Sequence, residues 1–312
     1  MLLPLACTIA SATSATSFAK ELAALHSVRE PDGLPCNALF IDIGANIGMA
    51  TWDFFQRLNC YESCGGNSTC RPENWSAQSC QFCNTANMNR QCGWMWPWWL
   101  PRDVRQRYCA VAFEPNPGVS SQLHARIESL RRLLPGVSVR VVNDTAVSVR
   151  DGEATFGIDT GAYEGRSSSL ALSRVSPRAA PNASEPKLLG VNVEVGAQQR
   201  LRVKTLDLVH YLRALHAVPT VGMWLDAEGS EFELLRDLLS SGALCGRVDN
   251  LWMDWHPTRI AWAKERLPIS DVEMHKMYNW MLTSMDNRAK HQTGTADPDA
   301  HCKTAMFTVG QR

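Results

Sequence analysis

Three apolar, β-favouring runs in this chain each carry an acid, and the first and third run on into glycine, a combination that suits a nucleotide-type ligand. The first run is Phe40-Ile41-Asp42-Ile43-Gly44-Ala45-Asn46-Ile47-Gly48. Gly44 permits a tight turn and leaves room for a ligand beside the main chain. Gly48 stands where a helix would open, and Met49, Trp52 and Phe55 follow at helical spacing. Strand, glycine turn and helix in that order put a helix N-terminus at the ligand. The second run, Val111-Ala112-Phe113-Glu114-Pro115-Asn116-Pro117, ends in an acid able to accept hydrogen bonds from two ribose hydroxyls. The third, Met223-Trp224-Leu225-Asp226-Ala227-Glu228-Gly229-Ser230-Glu231, repeats the plan with two acids ahead of a glycine and a helix. The G-x-G-x-x-G dinucleotide fingerprint is absent. Spacing alone leaves a ligand site and a plain strand-to-helix turn open.

Taken together, the segments FIDIGANIGMAT (40–51), AFEPNP (112–117), TAVSVRDGEATF (145–156), SSSL (167–170), VKTLD (203–207) and LDAEGSEFELL (225–235) resemble the FkbM-type family of S-adenosylmethionine-dependent methyltransferases. The resemblance spans roughly residues 40–256. It implies a class I methyltransferase fold, α/β and Rossmann-like, with a doubly wound and mostly parallel sheet. It also implies S-adenosyl-L-methionine as cofactor and O-methylation of a hydroxyl. Carried onto this sequence, it makes Asp42, Gly44, Asn46, Gly48, Glu114, Asp144 and Thr145 the expected cofactor-binding residues. For Asp144 and Thr145, a turn held by side-chain hydrogen bonds is the equal alternative. His256, in Asp254-Trp255-His256-Pro257, matches a histidine the family often carries after its fifth strand.

Methyl transfer to a hydroxyl is helped by a general base. Asp226, Glu228 and His256 are the candidates, since polar groups at the C-terminal ends of parallel strands face the ligand crevice. His256 has the unperturbed pKa best suited to the task, near ~6.5. Asp226 and Glu228 serve equally well as cofactor contacts or as acids at the start of the next helix. Two other classes of function compete: a catalytically silent scaffold whose cysteine-rich segment binds a partner, and a nicotinamide dehydrogenase. The retained Asp42, Gly44, Gly48 and Glu114 argue against the first, and the missing third glycine against the second.

The elements that must hold these residues follow from periodicity. Strands are expected over 38–43, from about Tyr108 to Glu114, and over 137–142, 221–226, 250–255 and 305–309. Val119, Leu123, Ile127, Leu130 and Leu134 mark one amphipathic helix; Phe232, Leu235, Leu238 and Leu239 mark another. Asp151-Gly152 predicts a hairpin over 145–159, and 191–195 with 199–204 a second. Thr205 is the expected cap of the helix that follows, with Asp207 in its first turn. Further helices are expected over 18–28 and 270–282, and a Ser-, Ala- and Pro-rich loop over 167–190 that covers the substrate.

The chain has 312 residues, 45% of them hydrophobic, enough for one large α/β domain over 20–312. Lysine plus arginine equals aspartate plus glutamate, so no basic excess points to nucleic acid. No run approaches the ~20 apolar residues of a membrane-spanning helix. The implied partner is a small-molecule or glycan acceptor. Residues 1–19 lack acids and resemble a signal or targeting segment, with an organelle transit peptide and a plain N-terminus as alternatives. Of eleven cysteines, six fall between Cys60 and Cys92, inside a cysteine-rich insertion over 59–105 that ends in Trp94, Trp96, Trp98 and Trp99. Disulfides and zinc both fit those six. Sequons at Asn67, Asn74, Asn143 and Asn182 favour a glycosylated, disulfide-bonded protein of the secretory pathway lumen or the exterior, with an organelle or the cytoplasm as the alternative. A glycan on Asn143 would block the expected ligand, so that sequon is expected to stay unused.

Overall fold

The computed structural model describes residues 22, 36, 38–55, 108–135, 137–159, 198–215, 218, 220–254 and 305–309. The expected helices at 18–28 and 270–282, the segment 1–19, the insertion 59–105, the loop 167–190 and His256 lie largely or wholly outside them.

Among the described residues six strands form the main sheet: β1 (Ala38–Ile43), β2 (Tyr108–Glu114), β3 (Ser138–Asn143), β7 (Thr220–Leu225), β8 (Asn250–Asp254) and β9 (Ala305–Val309). Their order is β3-β2-β1-β7-β8-β9, and every pairing is parallel. Counted within this sheet alone the order is 3-2-1-4-5-6, the doubly wound Rossmann-like arrangement. Every residue of β1 is buried. Its alternating side chains feed two different cores, as expected of a central parallel strand covered on both faces. Leu39, Ile41 and Ile43 join one core with Val111, Phe113 and Leu225; Phe40 joins the other with Ala110, Ala112 and Trp252.

Helix α1, residues 49–55, follows β1. It sends Trp52, Phe54 and Phe55 into the Phe40 core, where the Phe40 and Phe54 rings stack 4.2 Å apart. Met49, at the opening of the expected apolar stripe, is instead exposed. Helix α2 (Pro117–Leu133) buries Val119, Leu123, Ile127 and Leu130 against the same face. Helices α3 (Leu208–Ala214), α4 (Glu231–Ser240) and α5 (Ala243–Arg247) supply apolar side chains to the other core.

A second, three-stranded sheet corrects one expectation. Strands β4 (Thr145–Ser148) and β5 (Gly152–Asp159) do not pair with each other. Both flank β6 (Gln198–Asp207), β4 in parallel and β5 antiparallel. Asp151 does not make the predicted hairpin; its Oδ1 accepts from the Asp207 N–H at 2.7 Å and closes the end of β6. The expected helix cap shifts for the same reason. Thr205 and Asp207 both stay in β6 because the strand pairs with β4 as far as Ser148, so Asp207, not Thr205, caps α3 by accepting from the His210 N–H.

Cys36 and Cys109, both buried, form a disulfide with a Cα separation of 5.7 Å. It ties the chain just ahead of β1 to β2 and closes a loop that contains all six clustered cysteines. Cys245 is also disulfide-bonded. Among the described residues no helix is long and apolar enough to cross a membrane.

Candidate functional site

The register brings the strand ends level. Ile43 lies opposite both Phe113 and Leu225, Phe113 opposite Val142, and Leu225 opposite Met253. One residue further on, Gly44, Glu114, Asn143, Asp226 and Asp254 therefore stand side by side along the C-terminal edge. The order of strands reverses between β1 and β7, so this edge is the switch point where open parallel sheets take their ligands.

The β1 turn is tightly specified. Gly44 has φ 79°, and a Cβ placed on it would meet the Asp226 carbonyl oxygen at 1.9 Å. Gly48 has φ 80°, and its Cβ would lie 2.8 Å from Leu123 of α2. The first glycine thus lets the turn meet the β7 turn, and the second lets α1 meet α2. The Gly44 and Ala45 N–H groups donate to the Phe113 carbonyl, and the Asp226 N–H donates to that of Ile43.

Glu114 is 5% exposed. Its Oε2 accepts from the Asn46 N–H at 2.6 Å and its Oε1 from the Asn116 N–H at 2.7 Å. These bonds fix the carboxylate plane and use one lone-pair site on each oxygen, leaving the second site of each for a ligand donor. Burial pushes the Glu114 carboxyl up to about 7, against those two backbone donors, and nearby Asp42 adds to the rise. Asp42 is fully buried and lifted to about 6 by the same desolvation. Its Oδ2 accepts from both the hydroxyl and the N–H of Thr51, at 2.6 and 3.1 Å, whereas Oδ1 has no partner.

Asn46, Asp144 and Glu228 all adopt left-handed φ values, between 51° and 53°. Non-glycine residues in this conformation cluster at ligand sites because only surrounding structure holds them there. All three were expected at the site, and they sit just past the ends of β1, β3 and β7. Asp144 is the pivot at which the chain leaves the main sheet for β4, and its carbonyl accepts from the Lys204 N–H at 2.9 Å. Thr145 is buried, with its hydroxyl donated to the Asn143 carbonyl at 3.0 Å. The Asn143 side chain lies 2.9 Å from the His124 ring. Asp226 and Glu228 lie in the turn between β7 and α4, where the Gly229 N–H donates to the buried Glu231 carboxylate. His256, the third candidate base, falls two residues beyond Asp254 and outside the described residues.

The expected site residues on β1, β2 and β7 thus meet at one edge, with those on β3 beside them. Thr51, Asn116 and Glu231 were not singled out beforehand. Asn116 alone carried a sequence signal, because Asn ahead of Pro-Gly is a helix-cap pattern, and its side chain does accept from the Gly118 N–H. Among the described residues no three His, Cys, Asp or Glu side chains are grouped to hold a metal ion. No protein-family model matches the chain, and comparison with curated proteins and with solved structures finds no match.

Proposed function

We propose that the protein is an S-adenosylmethionine-dependent methyltransferase acting on a hydroxyl of a small molecule or glycan. The observation that carries this is the Glu114 carboxylate: level with the glycine turn at the switch point, held by two backbone N–H groups, and opposed by no cation among the described residues. Such an acceptor fits the paired hydroxyls of a ribose. Asp42, Gly44, Asn46 and Gly48 form the turn beside it, and Asp144 and Thr145 border the neighbouring strand end on the adenine side.

When bound, the cofactor supplies an electrophilic methyl on sulfur; the protein's share is position and charge. Above its raised pKa, where it is ionised, Glu114 orients the nucleoside through charge-assisted hydrogen bonds. Asp226, Glu228 or His256 takes the proton of the acceptor hydroxyl. The Cys36–Cys109 bridge supports the secretory pathway as the compartment, since such bonds persist where the surroundings are oxidising.

Calorimetry with S-adenosylmethionine and S-adenosylhomocysteine tests the reading. Both should bind, and Glu114→Ala should weaken them by about 1.5–3 kcal/mol, the scale of hydrogen bonds to a charged group. Absence of binding by the unsubstituted protein would end the methyltransferase reading.

A further inference from the structure

The loop between β1 and α1 holds three left-handed residues, Gly44, Asn46 and Gly48, in five positions. Two of them are glycines and adopt this freely; Asn46 does not. Yet Asn46 is the residue whose N–H reaches Glu114 at 2.6 Å. Something must hold the ends of this loop together for that contact to persist. The Thr51 hydroxyl and N–H both donate to Asp42 Oδ2, across nine residues and with both side chains at 0% exposure. Those two bonds bracket the loop, one end on β1 and the other in α1. Among the described residues they are also the only hydrogen bonds to a fully buried carboxylate whose other oxygen has no partner, so losing one is costly there.

We infer that Thr51 is a positioning residue for this site: through Asp42 it staples α1 to the end of β1, and so keeps the Asn46 N–H on the Glu114 carboxylate. The inference rests on the nucleoside reading only for its effect on binding; the staple itself is independent of any ligand. Thr51 touches neither cofactor nor acceptor in this scheme.

Amide hydrogen exchange by NMR on the full chain tests it, with Val111 in the middle of β2 as internal reference. Thr51→Val keeps the shape and the N–H but removes the hydroxyl. Asn46 exchange should then quicken about tenfold or more while Val111 changes little, because the opening is local. S-adenosylhomocysteine binding should weaken by a similar factor, and Thr51→Ser should restore both. Asn46 and Val111 quickening together, or Asn46 not moving, would overturn the staple. Unchanged binding by Thr51→Val, with Asn46 loosened, would overturn its role in the site. If the unsubstituted protein binds no nucleoside, the methyltransferase reading fails and the staple is judged on Asn46 alone. Should Thr51→Val not fold, Thr51→Cys, similar in size and a weak donor, is read by the same criteria.

Discussion

Gly44 and Gly242 both hold left-handed backbones, at φ 79° and 70°, but their surroundings differ. A methyl group on Gly242 would meet nothing within 4 Å, whereas one on Gly44 would sit 1.9 Å from the Asp226 carbonyl oxygen. Gly242→Ala should therefore cost only the conformational term, about 1–2 kcal/mol. Gly44→Ala must also push the β7 turn away from β1, and should cost more than about 3 kcal/mol, the upper part of the range for single substitutions. Denaturant unfolding of the two variants checks this. Equal losses would mean that the contact between the two turns is loose. The same crowding explains why position 44 is a glycine: it is the point at which the turns after β1 and β7 touch. The sequence showed the glycine and its turn, but not the carbonyl that excludes every other residue there.

Among the elements, β1 and β2 are joined twice, by their ladder and by the Cys36–Cys109 bridge at the start of β1. The bridge spans 73 residues of chain. Closing a loop of that size removes unfolded-state entropy worth about 4 kcal/mol in the chain-entropy account. Replacing both cysteines by alanine should lower the unfolding free energy by about that amount, and reduction of the native protein should act in the same direction. A doubly substituted protein as stable as the original would show that the bridge constrains nothing. Neither cysteine stood out in the sequence, where six others crowd between residues 60 and 92. Their pairing depends on β2 lying beside β1, a contact between distant stretches of chain. Local signals misled in the small sheet as well. Asp151-Gly152 is a hairpin pattern, but β6 is ten residues long and pairs with strands on both its edges, which four-residue β4 cannot rival.

For the molecule as a whole, two buried carboxyls, Asp42 and Glu114, shape stability against pH. Folding raises Asp42 from 3.8 to about 6 and Glu114 from 4.5 to about 7, so the folded state binds protons more tightly than the unfolded one. The sign follows from linkage: stability is greatest with both groups protonated and falls as pH rises from about 4 to about 7, then levels. The Glu114 share is on the order of 3 kcal/mol. Thermal unfolding in the absence of nucleoside should show a falling midpoint across that window, and Glu114→Gln should flatten much of it. A midpoint that rises over the same window would show that other groups outweigh this pair. What the sequence by itself determined was every strand of the main sheet, to within a residue or so, and the placing of Asp42, Gly44, Glu114 and Asp226 at strand ends. Apolar runs broken by glycine, proline and acids carry that information locally. Only the tertiary structure decided that those strand ends lie level, that Thr51 holds Asp42, that two backbone N–H groups from different segments hold Glu114, and that Cys36 meets Cys109. Each of these depends on strand order and register, which are settled by packing between residues far apart in the chain, and no local pattern encodes them.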